Sequence, residues 1–344
     1  MFNGCFTALI TPFTSGELDY NGLKKLIEFQ IQNKVSGILA VGTTGESPTL
    51  KWEEHFEIIK LTCEMTKNNC LSIAGTGSNN TRETLEATKH AINVGADAAL
   101  LIDPYYNGPS SLEIRKEYVE PVAEIKSDFT IIPYVIPGRT GTQLLPEDIA
   151  ILYKNHPNVK AVKEATGNIE NMKKTRSLCG ADFEILSGDD DKTYEMMTNP
   201  SIKASGVISV VSNVFPKALQ DLTHLIESKQ LEEANELLEV LKPLFVIVGI
   251  ITKEDTPFGQ ISHRARNPVG VKTLMSILGM PSGQLRPPMG KITKKGFDIV
   301  LNAAKNAFAK KPEIFNPIAE FFNIDIENRL NDENSWSELY YNEY

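Results

Sequence analysis

Eight short apolar runs alternate with helix-length amphipathic segments over about the first 230 residues, and this alternation restricts the fold more than any other feature. Strands that alternate with helices indicate parallel βαβ units, and eight such units are typical of a closed (β/α)8 TIM barrel of ~250 residues. An open, doubly wound sheet would carry a glycine-rich dinucleotide fingerprint after its first strand, where this chain has Thr11-Pro12-Phe13-Thr14. We therefore predict an α/β fold, a (β/α)8 TIM barrel with a C-terminal helical appendage.

The predicted barrel strands are Phe6–Ile10, Gly37–Val41, Leu71–Gly75, Ala98–Ile102, Phe129–Ile132, one within Asn158–Gly167, Phe183–Ser187 and Gly206–Val210. The helices predicted between them include Tyr20–Asn33, Trp52–Lys67, Thr81–Asn93, Leu112–Lys126 and one that begins near Pro146. Later helical patterns cover Lys217–Ile226, Leu231–Val248, Val269–Leu278 and Thr293–Ala309, with no strand signal between them.

Beyond Lys311 the chain becomes acidic and aromatic, as expected of a disordered tail or of one docked on a neighbour or a subunit surface. We predict three parts: a catalytic barrel over residues 1–228, a C-terminal helical region over 229–310 and an acidic, aromatic-containing tail over 311–344.

The net charge of the chain limits the kinds of binding partner that we expect. A net charge of -9 and a pI near 5.3 disfavour nucleic acid and anionic membranes as binding partners. Neither a signal peptide nor an apolar window of ~18 residues is recognisable, so we expect a soluble cytoplasmic protein. The four cysteines are scattered without metal-ligand spacing, so we expect reduced thiols and no metal site.

Lys163 is the residue on which the functional interpretation depends. Side chains alternate along a strand, so Lys163 would share a face with Val159 and Ala161. Burial on such a face disfavours the ammonium form and lowers the lysine pKa from about 10.4, which makes the amine nucleophilic. A lysine that extends to solvent or pairs with a carboxylate fits this stretch equally well.

The other strand ends carry side chains that could serve such an amine, since barrel chemistry lies at the C-terminal ends of the strands. Thr43 and Thr44, between two glycines, offer hydroxyl and backbone N–H groups to a carboxylate. The phenols of Tyr106 and Tyr134 can transfer protons.

Two further residues complete this set. Arg139 presents a planar fork to a second carboxylate, and Gly188 leaves space near the reacting centre. Each residue alone also fits a structural role such as a βα turn, interface packing or a surface salt bridge. Together, around one lysine, they favour catalysis.

Seven motifs of this chain resemble the dihydrodipicolinate synthase family, within the wider class I pyruvate aldolase superfamily. They are Gly-Thr-Thr-Gly-Glu-Ser at 42–47, Pro-Tyr-Tyr-Asn at 104–107, Tyr-x-x-Pro-x-Arg-Thr-Gly at 134–141, Val-Lys-Glu-Ala at 162–165, Gly-Val-Ile-Ser-Val at 206–210, Asn-Pro-Val-Gly-Val-Lys at 267–272 and Leu-Arg-Pro-Pro-Met at 285–289. The resemblance extends from about Gly4 to Ala309.

The resemblance implies an enzyme that condenses pyruvate with L-aspartate-4-semialdehyde to 4-hydroxy-tetrahydrodipicolinate, the entry step of diaminopimelate and lysine biosynthesis. It implies that Lys163 forms a Schiff base with pyruvate. Tyr134 would be the acid/base, relayed through Thr43 to Tyr106, which the family contributes across a subunit interface. The implied assembly is a homo-oligomer, either a tetramer or a dimer, without a metal or an organic cofactor.

The resemblance also assigns the substrate-binding residues. Thr43 and Thr44 would hold the pyruvate carboxylate, and Arg139 would bind the semialdehyde carboxylate. Gly188 and Ile208 would line the pocket.

A second site is implied for the product L-lysine, which inhibits some relatives by binding in an interface cleft. A carboxylate and an amide for an ammonium group, beside an aromatic wall, suit that ligand, although ordinary polar packing at an interface would look similar. The matching residues are Ser47, Pro48, Trp52, His55, Asn79, Glu83 and Tyr105.

Three positions depart from the family pattern. Val135 follows the catalytic tyrosine where asparagine is usual, and Asp103 replaces a small residue. Pro133 lies inside a predicted central strand, where proline loses a ladder hydrogen bond, so we expect this strand to bulge or end early and to move Tyr134.

Two alternative functions stay open at this point. One is a sibling pyruvate aldolase acting on a 2-oxo sugar acid or 4-hydroxy-2-oxoglutarate, although the Arg-Thr-Gly run at 139–141 favours the synthase. The other is a non-catalytic barrel that binds a pyruvate-like ligand.

Overall fold

The structure, a computed structural model, describes residues 2–344. Within that range the strands are β1 Gly4–Ala8, β2 Phe13–Thr14, β3 Glu17–Leu18, β4 Gly37–Ala40, β5 Leu71–Gly75, β6 Ala98–Ile102, β7 Thr130–Val135, β8 Ala161–Glu164, β9 Glu184–Ser187, β10 Gly206–Ser209, β11 Gly249–Thr256, β12 Gly259–Arg266, β13 Ile292–Thr293 and β14 Tyr340–Tyr341. The α-helices are α1 Tyr20–Gln32, α2 Trp52–Thr66, α3 Thr81–Asn93, α4 Ser111–Glu113, α5 Glu120–Ala123, α6 Pro137–Thr140, α7 Pro146–Asn155, α8 Ile169–Cys179, α9 Thr193–Thr198, α10 Pro216–Glu227, α11 Leu231–Phe245, α12 Val269–Leu278, α13 Lys294–Lys310, α14 Asn316–Phe322 and α15 Ile326–Asn331.

Eight parallel strands close the predicted barrel in the order β1, β10, β9, β8, β7, β6, β5, β4. The first strand lies two residues earlier than expected, at Gly4–Ala8. Alternate side chains divide the apolar core. One cluster, including Phe6, Leu100 and Ile132, fills the barrel interior, and the larger cluster lies between the strands and the surrounding helices. This division places the C-terminal strand ends around one opening.

Several helices of this outer layer begin at side-chain caps that the sequence provides. Asp19 accepts a hydrogen bond from the Gly22 N–H at the start of α1, and Asn168 accepts from two N–H groups at the start of α8. Such caps satisfy N–H groups that have no partner within the helix. At α1 and α8 they fix the residue at which the preceding loop ends and the helix begins.

Pro133 does not end its strand, contrary to our expectation. Strand β7 continues through Val135, and Tyr134 pairs directly with Lys163. The irregularity lies instead in the segment that leads into β8. Ile131 pairs with Val159 and Tyr134 pairs with Lys163, so this segment has one residue more than β7 between the two pairs. The extra residue is accommodated where Pro133 has no N–H to donate, and Tyr134 keeps its register.

Because of this extra residue, the prediction that Lys163 shares a face with both Val159 and Ala161 is wrong. Val159 belongs to the outer cluster, whereas Ala161 lies in the barrel interior. The carbonyl of Lys160 accepts a hydrogen bond from Glu184 N at 2.9 Å, on the side away from β7. Regular alternation is therefore broken between Val159 and Ala161, and Lys163 shares its face with Ala161 alone.

The predicted helix Leu112–Lys126 is interrupted. Helices α4 and α5 flank a π-helical segment, Ile114–Val119. Pro121 cannot donate to the carbonyl of Glu117, and the Thr81 hydroxyl donates to that carbonyl at 2.9 Å instead. The proline thus explains the local change of helix type.

The prediction that no strand separates the C-terminal helices is wrong. Strands β11 and β12 form an antiparallel hairpin between α11 and α12. One face of β11, with Ile250, Thr252 and Glu254, is buried. The buried carboxylate of Glu254 accepts a hydrogen bond from the Thr252 hydroxyl at 2.6 Å and therefore has a polar partner on this face.

The segment after Lys311 is docked on the same chain. Phe315, Ile318 and Trp336 are buried in the main core cluster. Strand β14 pairs with β13, and the Trp336 indole N–H donates to the Arg329 carbonyl at 3.2 Å. The aromatic residues of this segment therefore complete the core of their own chain.

Three features of residues 2–344 bear on the expected chemistry. No helix in this range is long and apolar enough to cross a membrane. No cluster of three or more His, Cys, Asp or Glu side chains in it could hold a metal ion. All four cysteines are unpaired, and three of them are buried.

Candidate active site

A cavity of about 780 Å³, hereafter the main cavity, lies at the C-terminal ends of the barrel strands. Its wall includes Thr44, Tyr134, Arg139, Lys163 and Gly188. The fold therefore brings together five of the eight residues predicted for catalysis and substrate binding.

Lys163 lies at the end of β8 and is only 4% exposed. Its Nζ is 4.2 Å from the centroid of the Tyr134 ring. Burial lowers the pKa of Lys163 to about 8, although the carboxylates of Asp189 and Asp190 act in the opposite direction. About a tenth of the amine is therefore unprotonated at pH 7, and this free amine is the nucleophile.

Tyr134 follows Pro133 on β7 and is 4% exposed. Burial raises its pKa above the usual range, while Arg139 and Thr43 partly oppose that shift. The phenol is therefore protonated at neutral pH, beside the Lys163 amine. A neutral phenol in this position can donate a proton and receive one back.

The glycine-flanked turn after β4 presents its two threonines differently. Thr44 is buried, lines the main cavity and accepts a hydrogen bond from Asn267 Nδ2 at 2.9 Å. Thr43 lines a smaller cavity of about 210 Å³, hereafter the side cavity, which also borders Tyr134. Tyr134 and Arg139 border both cavities.

Arg139 belongs to the short helix α6, directly after β7. Its Nη2 donates to the Asn267 carbonyl at 3.0 Å. Burial lowers its pKa, and Arg266 and Arg264 lower it further. The guanidinium remains a cation at neutral pH, with donors available to an anion in the cavity.

Gly188 and Ile208 have different surroundings. A Cβ added at Gly188 would lie 2.7 Å from Ala165 Cβ and 3.2 Å from Lys163 Cε, so any side chain would disturb the lysine. Ile208 is fully buried in the barrel interior cluster with Tyr134. Among residues 2–344 the wall of the main cavity includes Gly188 but not Ile208.

Tyr106 is not brought to the site within this chain. It is 91% exposed and has a positive φ of 81°. The side cavity is bordered by Thr43 and Tyr134, and Tyr106 of the same chain is not on its wall.

The seven residues of the predicted lysine site lie together in a third cavity of about 130 Å³. Its wall includes Ser47, Pro48, Trp52, His55, Asn79, Glu83 and Tyr105. The His55 Nδ1 is buried and has no hydrogen-bond partner in the part of the chain that the structure describes, and its Nε2 is 2.9 Å from the Ser47 hydroxyl. Burial lowers the pKa of His55 to about 4, so the ring is neutral at physiological pH. This cavity shares Ser47, Pro48 and Tyr105 with the side cavity.

Among the residues of the main cavity that sequence reasoning missed are Asp189, Arg264, Arg266 and Asn267. Asp189 is next to Gly188, and burial raises its pKa to about 6. The other three lie at the end of the unforeseen hairpin. The run Arg264-Ala265-Arg266, directly before a matched motif, is the signal that could have revealed them.

Asp103 has a structural position outside the main cavity. Its Oδ2 accepts from Leu144 N at 3.0 Å, and burial raises its pKa to about 8. The carboxyl group holds the segment before α7 against the end of β6.

Comparison with protein families decides the assignment of this site. The model of the Dihydrodipicolinate synthetase family matches residues 1–307. The chain belongs to this family. A curated relative, 4-hydroxy-tetrahydrodipicolinate synthase of Sulfurihydrogenibium sp. strain YO3AOP1, is 42% identical over 295 residues, which are 86% of this chain and 94% of the relative.

Solved structures of the family match the fold at similar coverage. Dihydrodipicolinate synthase from Acinetobacter baumannii, complexed with pyruvate, has a TM-score of 0.80 and 33% identity, covering 89% of this chain and 99% of that chain. The enzyme from Cyanidioschyzon merolae with lysine bound has a TM-score of 0.80 and 32% identity, covering 89% and 98%.

Proposed function

We propose that this family member condenses pyruvate with L-aspartate-4-semialdehyde to form 4-hydroxy-tetrahydrodipicolinate, the entry step of diaminopimelate and lysine biosynthesis. The observation that carries the proposal is the buried Lys163 amine, 4.2 Å from the Tyr134 ring centroid, on the wall of the main cavity. A desolvated amine beside a neutral phenol is the arrangement that Schiff-base chemistry requires. Family membership and the named relatives support the same reaction.

The first half of the proposed reaction takes place at Lys163. Its free amine attacks the keto carbon of pyruvate, and the carbinolamine then loses water to give the protonated Schiff base. Tyr134 donates the proton that leaves with the hydroxyl group. Thr44, with Thr43, holds the pyruvate carboxylate through hydroxyl and backbone N–H groups. Gly188 leaves the space in which the lysine adduct forms.

In the second half, the Schiff base loses a methyl proton to the Tyr134 phenolate and becomes an enamine, and Tyr134 is a neutral phenol again. The enamine carbon attacks the aldehyde of the second substrate. Tyr134 donates a proton to the resulting alkoxide, and Arg139 binds the carboxylate of that substrate. The amino group then closes the ring and displaces the Lys163 amine, which is regenerated.

The proton relay of this proposal needs a second copy of the chain. We propose that Tyr106 of one copy enters the side cavity of its partner, next to Thr43 and Tyr134. The 91% exposure of Tyr106 and the open side cavity support this arrangement. A tetramer or dimer follows as part of the proposal, and the cytoplasmic location stays a prediction from the sequence.

Initial-rate assays with purified protein test the reaction. Turnover should require both pyruvate and aspartate-semialdehyde. Release of pyruvate from a 2-oxo sugar acid or from 4-hydroxy-2-oxoglutarate, without turnover of the semialdehyde, would contradict the proposal and favour the sibling aldolase.

The third cavity is proposed as an inhibitory site for L-lysine. Glu83 offers a carboxylate to an ammonium group, and Trp52 and Tyr105 provide aromatic walls. Titration calorimetry with L-lysine should give a binding signal that Glu83→Gln abolishes. No heat and no inhibition at millimolar lysine would contradict this part.

A further inference from the structure

The hairpin β11–β12 presents one of its faces to the main cavity. Opposite residues of an antiparallel pair share a face, and the register aligns Gly249 with Arg266 and Ile251 with Arg264. Gly249, Arg264 and Arg266 line the main cavity. The opposite face of β11 is buried, which fixes the hairpin with its arginines toward the cavity.

The arginines at this edge form no salt bridge among residues 2–344. Within residues 2–344, none of Arg139, Arg264 and Arg266 has a carboxylate within 4.0 Å, whereas the nearby Lys242 pairs with Glu239. Arg266 uses one donor, to the Gly138 carbonyl at 2.9 Å, and Arg139 uses one, to the Asn267 carbonyl at 3.0 Å. A guanidinium has five N–H donors, so most of this cationic edge is available to a ligand.

Asn267 adds an acceptor beside these cations. It is 6% exposed, and its Oδ1 is buried without a hydrogen-bond partner among residues 2–344, although its Nδ2 donates to Thr44. A buried, unpaired amide oxygen is costly unless a ligand donates to it. The same wall carries Asp189, Asp191 and Glu195, which repel anions, so an anionic group is favoured only on the arginine side.

We infer that Arg264 and Arg266 form, with Arg139, an anion subsite on the hairpin that selects a second substrate bearing a carboxylate and an ammonium group on one carbon. The guanidinium groups bind the carboxylate, and Asn267 Oδ1 accepts from the ammonium. This inference rests on the proposed function and extends it, because a sugar acid offers hydroxyl groups but no ammonium. The hairpin arginines thereby determine specificity for the acceptor and leave pyruvate binding unaffected.

Single variants Arg264→Gln and Arg266→Gln, and the double variant, test the inference. Lys253→Gln is the matched control, since Lys253 is exposed on the same face of the hairpin but does not line the main cavity. Each single variant should raise the KM for aspartate-semialdehyde roughly tenfold, and the double variant roughly a hundredfold, as expected when charge-assisted hydrogen bonds are lost. The KM for pyruvate and the borohydride trapping of pyruvate should stay at the wild-type level, which also shows that the variants are folded.

An analogue that lacks the amino group, succinate semialdehyde, separates the two contacts. It should bind the wild type more weakly than the substrate does and should remain sensitive to the arginine variants. The inference is overturned if the KM for the semialdehyde is unchanged, if both KM values rise together, or if Lys253→Gln has the same effect. A wild-type enzyme that traps pyruvate but does not turn over the semialdehyde would instead refute the proposed function, and the acceptor subsite with it.

Discussion

At the scale of single residues, Gly188 is the position where one added carbon would most directly disturb the reacting amine. Gly188→Ala places a Cβ 3.2 Å from Lys163 Cε and 2.7 Å from Ala165 Cβ, so one of these neighbours must move. Since a displacement of about 1 Å at a reacting group can cost 10²-fold, we expect kcat/KM for pyruvate to fall by about that factor.

Gly138→Ala is the matched control for this prediction. Gly138 lines the same cavity, but an added Cβ there meets no heavy atom within 4 Å. Its initial rates should equal those of the wild type. Equal activity of the two variants would show that space at Gly188 does not matter.

The titration of Lys163 gives a second prediction at this scale. The pKa of about 8 means that the rate of pyruvate trapping should rise with pH up to about 8 and then level off. The Asp189 carboxylate stabilises the ammonium form, so Asp189→Asn should move the midpoint of this profile to lower pH.

Asp191→Asn provides the comparison, because Asp191 lines the same cavity and is not among the charges that shift Lys163. Its midpoint should stay near that of the wild type. A midpoint that moves upward in Asp189→Asn would contradict the assigned electrostatics.

At the scale of elements, the buried ion pair between Lys272 on α12 and Glu46 connects the C-terminal region to the threonine turn. Lys272 Nζ is 2.7 Å from Glu46 Oε1, and both side chains are at most 1% exposed. Lys272→Met leaves a buried carboxylate without its cation, which typically costs about 3–5 kcal/mol in the free energy of unfolding.

Urea denaturation measures this loss. Lys217→Met, which removes an exposed ion pair with Asp221, should cost less than about 1 kcal/mol. Lys272→Met with Glu46→Gln should recover part of the stability, since no buried charge then stays unpaired. Equal destabilisation by the Lys272 and Lys217 variants would contradict the account of this pair.

Strands and helices were predictable from the sequence where the pattern of apolar residues indicated them. Eight apolar runs fixed the barrel strands to within a few residues, because strands buried on both faces are continuous and apolar. The hairpin was missed because the buried face of β11 is polar at Thr252 and Glu254, so its alternation was not hydrophobic. The turn residues Pro257 and Gly259 were the remaining signal.

The pairing register of β7 and β8 could not be predicted from the sequence of either strand alone. Pro133 predicted an irregularity in its own strand, but the extra residue lies before Ala161 in the neighbouring segment. The hydrogen bonds of both paired strands determine which of the two carries the extra residue. The sequence of one strand does not contain that information.

At the scale of the whole molecule, the segment after Lys311 is part of the folded core. Phe315 is 1% exposed and contacts the rings of Phe215 and Phe308, with centroids 4.9 and 5.3 Å away. The division into parts at residues 228 and 310 is retained as a proposal, with the second part now including the hairpin.

Phe315→Ala should lower the free energy of unfolding by about 3–5 kcal/mol, because it leaves a cavity where this segment meets the core. Thermal unfolding followed by circular dichroism measures the effect. Tyr344→Ala, at an exposed ring, should be close to wild type. An unchanged melting temperature in Phe315→Ala would contradict a docked segment.

The site as a whole was largely predictable, since a barrel brings together the strand ends that carry Thr44, Tyr134 and Lys163. The exceptions are residues whose placement depends on elements outside the barrel. Arg264 and Asn267 reach the cavity through the hairpin, and Tyr106 would reach a site through a second copy. Neither arrangement is encoded in the periodicity of one strand.

The central claim is that Lys163 is the nucleophile, and borohydride reduction in the presence of pyruvate tests it most directly. Peptide mapping by mass spectrometry should locate one adduct, at Lys163. Lys163→Ala should remain folded and give no adduct, while Lys160→Ala, at an exposed lysine of the same stretch, should be labelled like the wild type. No adduct in the wild type, or an adduct at another lysine, would contradict the account.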